Sequence, residues 1–227
     1  MIVAAHANET RLVLFDVDGT ITATRSIWQY VLEEVGQWEG PGEENLRRFL
    51  AGEIDYAEFC DLDAELLKGE SYAKLSDIAA QIPLNKGATE LFAAFKSHDY
   101  HIALVSTGLR VLTNSLEQRL PVDLCVANDL EAHDGLCTGR AIIEVDEAGK
   151  GSHARMITEH FGATWVVAIG DGLSDSDMFR EANFSIAVGP VDPRVIAAAD
   201  VHVPELDLSL IAPVVFPSAQ NAGYAAR

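Results

Sequence analysis

The sequence has no apolar run approaching the roughly 20 residues that span a bilayer, so no transmembrane helix is expected. Cysteine is sparse. Cys60, Cys125 and Cys137 are odd in number and fall in no CxxC spacing, which indicates neither a disulfide framework nor a zinc site. Basic residues are also few: 16 Lys and Arg face 35 Asp and Glu, for a formal net charge of −19. No cluster of them exists to grip a phosphate backbone or an acidic lipid surface, so neither a nucleic acid nor a membrane is expected as partner. Lysine is scarcer than arginine, and so dense a like charge repels itself at low salt and is screened at high salt, which points to a salt-adapted host. The opening MIVAAHANET lacks the basic and long apolar segments of a secretory signal, so a cytoplasmic location is expected. The histidines are scattered, and the chain holds no Walker A loop, no GxGxxG and no internal repeat.

What is there suffices for a sizeable core. Of the 227 residues 48% are hydrophobic, which suits one large domain or a core domain carrying a smaller insert. The stretch from Arg11 to Thr20, RLVLFDVDGT, organises the rest. Leu12 to Phe15 form an unbroken apolar run, as in a strand buried on both faces of a parallel sheet. Asp16 and Asp18 follow at once, in the place where such sheets bind ligands, beyond the carboxyl ends of the strands. The pattern returns at His101 to Val105, which leads into Ser106-Thr107-Gly108. It returns again at Trp165 to Ile169, which ends in Gly170-Asp171-Gly172-Leu173-Ser174-Asp175. Shorter strands are expected at Leu124 to Ala127, Phe184 to Val188 and Val201 to Val203. A hairpin with arms Asn128 to Asp134 and Thr138 to Glu144 is expected around Asp134-Gly135. Helices are expected from Gly87, from Gly149-Lys150-Gly151 through Phe161, and from Pro193 to Ala199, and the end from about Pro217 should fray.

Between the first two strands the pattern is helical. Ser26 can cap a helix through Val35, Gly40-Pro41-Gly42 breaks it, and further helices are expected at Glu43 to Leu50, Tyr56 to Leu67 and Tyr72 to Ile82. An all-helical insertion here suits a lid that excludes water from an active site. The expected fold class is therefore α/β, with a parallel-sheet core domain of residues 1–21 and 84–227 and a small all-helical cap domain of residues 22–83.

If the apolar strands run parallel, Asp16, Asp18, Asp171 and Asp175 converge on one edge of the sheet. Like charges about 4 Å apart repel by roughly 4 kcal/mol per pair at an effective dielectric near 20, so a bare cluster is strained. A divalent cation relieves the strain. Oxygen ligands without His or Cys favour Mg2+, which pairs with a substrate phosphate, and phosphate transfer follows. Asp16 is the expected nucleophile, forming an aspartyl-phosphate. Asp18 is expected to protonate the leaving alcohol and then to activate water. Lys150 would neutralise the transferring group, and Ser106 with the N–H groups of Thr107 and Gly108 would cradle its oxygens. Phosphate monoesters need accelerations up to about 10^21, more than any single one of these groups supplies.

These four pieces, Asp16-Val17-Asp18-Gly19-Thr20, Ser106-Thr107-Gly108, Lys150 and Gly170 to Asp175, occur in the order and spacing of the haloacid dehalogenase-like (HAD) superfamily, which nearly the whole chain resembles. The early helical segment, the hairpin and the Lys150-Gly151 pair most resemble its phosphoserine phosphatase-like branch. The resemblance implies a Rossmann-like core with a helical cap and a phosphoric monoester hydrolase acting on a small phosphorylated metabolite. It also implies Mg2+ held by Asp16, the Asp18 backbone carbonyl and Asp171, with Asp175 in support. A phosphomutase shares the motifs and stays open, as does, less favoured, a non-catalytic phosphate- and Mg2+-binding module. A receiver domain is disfavoured by the helical insert, and a halide-removing enzyme by Asp18. One departure stands out. Where phosphoserine phosphatases commonly hold a Glu against the substrate amine, this chain has Arg25, which suits an anionic or hydroxylated group. Arg47 and Arg48 are further cations of the helical segment. Neither the physiological ester nor the oligomeric state is written in the motifs.

Overall fold

The computed structural model describes residues 9–146 and 148–217. Residues 1–8 of the opening read for a signal segment and the tail expected to fray beyond Pro217 lie outside the described residues. β1 (Arg11–Phe15) lies between β2 (Tyr100–Leu109) and β5 (Trp165–Gly170), parallel to both. β3 (Leu124–His133) continues parallel beside β2 and β4 (Leu136–Ile142) returns antiparallel, while β6 (Phe184–Val188) and β7 (Val201–Val203) extend the other side in parallel. The order across the 7-stranded sheet is β4-β3-β2-β1-β5-β6-β7. β1 shows why its sequence is an unbroken apolar run. Val13 and Phe15 face one layer, where Phe15 stacks on Phe92 with ring centroids 4.6 Å apart, and Leu12 and Leu14 face the other, beside Ala154, Ile157 and Met178. Full burial of each such side chain contributes about 1.5–3 kcal/mol.

Four helices fill the span between β1 and the next helix of the core: α1 (Ile27–Glu34), α2 (Glu43–Leu50), α3 (Tyr56–Leu66) and α4 (Tyr72–Ala80). Ser26, Asp55 and Ser71 cap α1, α3 and α4 by accepting the backbone N–H three residues on. The glycine-proline break is a tight turn at Trp38–Gly42, with Gly40 at φ 87. α4 stops two residues earlier than its apolar pattern suggests, because Gln81 and Ile82 donate to carbonyls three residues back and Pro83 disfavours helical backbone at Ile82. The remaining helices are α5 (Ala88–Ser97), α6 (Arg110–Arg119), α7 (Lys150–Phe161), α8 (Asp175–Arg180), α9 (Pro193–Ala198) and α10 (Ala212–Val215). No helix of the described residues is long and apolar enough to cross a membrane.

Two further features differ from the sequence reading. β3 is one strand rather than a short strand followed by a hairpin arm, because Leu124 to Asn128 pair with β2 and Asp129 to His133 pair with β4. The hairpin then ties into the helical segment: Gly69 N–H donates to Cys137 O at 2.8 Å, Cys137 N–H to Glu70 O at 2.9 Å, and Tyr72 N–H to Gly135 O at 3.0 Å. The helices therefore rest on an extension of the sheet as well as on its edge.

Inside the helical segment Asp63 of α3 is fully buried. Asn45 donates to its Oδ1 at 2.9 Å, and Oδ2 has no hydrogen-bond partner among the described residues. Burial pushes its pKa up to about 6 against the pull of the Asn45 bond. A carboxyl whose folded pKa lies above 3.8 contributes stability that is fully present below about pH 4 and lost as the pH rises through about 6. Asp63→Asn is neutral throughout, so it is expected to be more stable than wild type by about 1–3 kcal/mol at pH 8, with the gain vanishing toward pH 4. Calorimetric melting at both pH values checks this; a gain that does not change with pH would show that the buried charge is not its source.

Candidate active site

The register of the central strands assembles the site. Phe15 stands opposite Leu104 of β2 and Ile169 of β5, so the residues just beyond, Asp16, Ser106 and Asp171, emerge at neighbouring points of the same carboxyl edge. Ser106 pairs with Ala127 and Leu109 with the very next residue, Asn128, so Thr107 and Gly108 bulge out of β2. Gly108 N–H donates to Ser106 Oγ at 2.9 Å. After β1 the chain turns at Gly19, with φ 83, and a Cβ there would stand 2.5 Å from Asp171 Oδ2, so only glycine allows this approach. Asn85 Nδ2 holds the turn by donating to the carbonyls of Thr20 and Thr22 at 2.9 and 3.0 Å.

Lys150, at the first position of α7 and 1% exposed, donates to Asp16 and, at 2.6 Å, to Asp175 Oδ1. Burial works against its ammonium, but the two carboxylates outweigh it and hold the pKa above the usual lysine value. Asp175 is spent structurally as well: its Oδ2 accepts the N–H groups of Asp171 at 3.0 Å and Gly172 at 2.7 Å, which fixes the loop after β5. Asp171 Oδ1 accepts from the Thr20 hydroxyl at 2.7 Å. Burial pushes Asp16 up to about 6 despite Lys150, and burial with the Asp16 charge pushes Asp175 to about 6. Asp18 differs. It has no ion pair among the described residues, its Oδ1 is buried without a hydrogen-bond partner, and burial together with the neighbouring Asp16 pushes it up to about 7.

Ligand oxygens of Asp16, Asp171 and Asp175 all lie within 4.8 Å of one another, with neither His nor Cys in the group. Such an all-oxygen set suits a hard divalent cation. One ammonium cannot balance the carboxylates gathered here, and a dication answers that excess.

The family model of haloacid dehalogenase-like hydrolases (HAD) matches residues 13–180, from the middle of β1 to the end of α8. The chain belongs to this family. Among similar proteins of the HAD family, the phosphoserine phosphatase of Archaeoglobus fulgidus is 32% identical over 185 residues, covering 79% of this chain and 52% of the relative. That of Idiomarina loihiensis is 30% identical over 195 residues, covering 85% of this chain and 87% of the relative. The chain spans about half the length of the Archaeoglobus relative, as it does of phosphoserine phosphatases from Streptomyces coelicolor and Mycobacterium tuberculosis. A solved structure described as a phospho-aspartyl intermediate analogue of phosphoserine phosphatase superposes with a TM-score of 0.79 at 27% identity, covering 91% of this chain and 99% of that one.

In this HAD protein all eight residues singled out for chemistry in the motifs, Asp16, Asp18, Ser106, Thr107, Gly108, Lys150, Asp171 and Asp175, lie at the same sheet edge. Arg25 lies at its rim, exposed and without an ion pair among the described residues. It lines a small depression of about 40 Å³ with Gly19, Asp171 and Leu206, and a groove of about 410 Å³ with Gln29, Tyr30, Glu33 and Pro83. Arg47 and Arg48 are turned to the surface, paired with Glu44, Glu53 and Glu58. The motifs missed Asn128, Tyr56 and Trp28, which also reach this edge. Nothing local marks them, since each lies in an ordinary strand or helix pattern.

Proposed function

We propose that this chain is a Mg2+-dependent phosphatase that hydrolyses a small phosphate monoester through an aspartyl-phosphate on Asp16. In this reading residues 1–21 and 84–227 form the core domain, residues 22–83 cap it, and the protein works in the cytoplasm on a phosphorylated metabolite. The observation that carries the reading is the contrast between two neighbouring carboxyls. Asp16 is held by Lys150, whereas Asp18 is half-buried, has no cation partner among the described residues, leaves its Oδ1 without a hydrogen bond there, and has its pKa pushed up to about 7. One is disposed to stay ionised and attack, the other to carry a proton.

The Asp16 carboxylate forms a bond to phosphorus as the bond to the leaving alcohol breaks, and Asp18 gives its proton to that oxygen. Water then attacks the phosphorus of the aspartyl-phosphate and yields a proton to Asp18, which releases inorganic phosphate and restores Asp16. Lys150 keeps Asp16 ionised and meets the charge of the incoming group, while Ser106 and the N–H groups of Thr107 and Gly108 bind its oxygens. Asp16, Asp171 and the Asp18 backbone carbonyl, with Asp175 in support, would hold Mg2+, which when bound offsets the negative charge of nucleophile and phosphate. A phosphomutase would use the same residues but return the phosphoryl group to its substrate. The named relatives act as a guide to a small amino-acid-like ester. Arg25 beside Asp171 instead favours a second anionic or hydroxylated group over an ammonium.

Inorganic phosphate release from phosphoserine, phosphoglycolate and sugar phosphates tests both points. Release is expected with Mg2+, to be lost in EDTA and restored by added Mg2+. Phosphoglycolate is expected to be preferred to phosphoserine, and Arg25→Ala to shrink that preference about tenfold, the worth of a charge-assisted contact. Unaltered preference removes Arg25 from the substrate's surroundings; no phosphate from any ester overturns the phosphatase.

A further inference from the structure

The backbone carbonyl of Thr107 receives side-chain donors from three separate parts of the chain. Trp28 Nε1 of α1 lies 3.3 Å from it, the Tyr56 hydroxyl at the start of α3 2.9 Å, and Asn128 Nδ2 of β3 3.0 Å. Asn128 Nδ2 has two hydrogens, one for Val145 O and one shared between Thr107 O and the Tyr56 oxygen 3.0 Å away, so the Tyr56 hydroxyl takes from Asn128 and gives its single proton to Thr107. Asn128 is fully buried and anchored from behind. It donates to Val145 O at 2.9 Å, and its Oδ1 accepts the N–H groups of Glu144 and Val145, both at 2.8 Å. The core thus supplies a fixed amide, and the helical segment adds two donors to the same oxygen.

The direction of that carbonyl has a consequence on its other side. A peptide unit is planar and trans, so a Thr107 C=O held toward the helices turns the Gly108 N–H the opposite way. There it meets Ser106 Oγ at 2.9 Å, and Asp18 stands against the same glycine, close to where a Cβ would lie. We propose that Tyr56 is a positioning residue for phosphate binding: its hydroxyl, carried by the cap, holds the Gly108 N–H toward Ser106 Oγ, where the phosphate would sit, and makes that aim depend on the cap resting on the core. The proposal deepens the phosphatase reading and rests on it. When the helical segment lifts away, Tyr56 and Trp28 leave the carbonyl together, only Asn128 remains, and the Thr107–Gly108 peptide gains freedom to turn. The phosphate cradle is then complete only in the closed state, in which water is excluded from the acyl phosphate. The Tyr56 ring has its own support against Phe49, with centroids 6.1 Å apart, so the hydroxyl can be removed without undoing the packing.

Tyr56→Phe tests this. In Mg2+ with p-nitrophenyl phosphate, the inhibition constant for inorganic phosphate is expected to rise and kcat/KM to fall, each about fivefold to tenfold, as for loss of one hydrogen bond in a preorganised site. The melting temperature should stay within about 2 °C of wild type. Hydrogen–deuterium exchange over residues 106–109 should be faster in the variant. Phosphate affinity within twofold of wild type, or unchanged exchange over 106–109, overturns the proposal. Exchange does not require turnover, so the two readings fail separately. An inactive wild type whose variant still exchanges faster would overturn the phosphatase and uphold Tyr56 as the anchor of the Gly108 peptide.

Discussion

Asp16→Asn is expected to lower kcat for phosphate release by a factor on the order of 10^4 or more, because an amide neither attacks phosphorus nor leaves from it. The fold should survive. Lys150 keeps its 2.6 Å bond to Asp175, and loss of the charge on Asp16 eases the crowding that raises the pKa of Asp175. An unchanged melting temperature would separate chemistry from unfolding. Two further readouts bear on the intermediate itself. Borohydride reduction during turnover of the wild type should convert residue 16 to homoserine, seen by mass spectrometry of the peptide that contains it, since an acyl phosphate is reduced where a carboxylate is not. A phosphate ester chiral at phosphorus should be hydrolysed with retention, the outcome of two successive in-line displacements. Inversion, with no homoserine at position 16, would mean that water attacks the substrate directly and that Asp16 only positions it.

Asp18→Asn should lower the steady rate by about 10^2–10^4, the usual worth of a general acid and base, and should do so differently for two kinds of ester. p-Nitrophenolate leaves without a proton. With p-nitrophenyl phosphate the variant should therefore release one equivalent of nitrophenolate quickly and then stall, because water is no longer activated against the aspartyl-phosphate. With an alkyl phosphate the first step also needs Asp18, to give the leaving oxygen its proton, so no burst is expected. The reasoning rests on the surroundings of Asp18: it is half-buried beside Asp16, has no ion pair among the described residues, and its buried Oδ1 lacks a hydrogen-bond partner there. A steady rate within threefold of wild type on the alkyl ester would remove Asp18 from the proton transfers.

The strands carrying the motifs were legible because their signal is local. An apolar run such as Leu12 to Phe15 is long enough to name a strand buried on both faces, and whatever follows it must emerge at the sheet's end. Ser26 marked the start of α1 in the same way and bonds the N–H three residues on, as Asp55 and Ser71, not singled out in the sequence, do for α3 and α4. Boundaries were less legible where two patterns share one segment. β3 changes partner at about Asn128, from parallel β2 to antiparallel β4, and a polar residue at the change of partner reads locally as the end of a strand. Arg47 and Arg48 show the converse limit. Their positions in the helical segment said nothing about direction, and each is turned outward to glutamates.

The amino-acid order by itself determined the α/β class, the parallel strands, the helical insert and the gathering of Asp16, Asp18, Asp171 and Asp175 at strand ends, since each follows from patterns no longer than one element. Only the tertiary structure decided which distant side chains complete that edge. Asn128, Tyr56 and Trp28 meet at one carbonyl because the helices pack on the sheet and its hairpin. Lys150 was placed at the site by the motifs, but its contacts with Asp16 and Asp175, across 134 and 25 positions of chain, exist because α7 begins beneath them. Side-chain meetings of this kind depend on how whole layers seat against one another, a sum of many weak contacts that no short stretch of sequence contains.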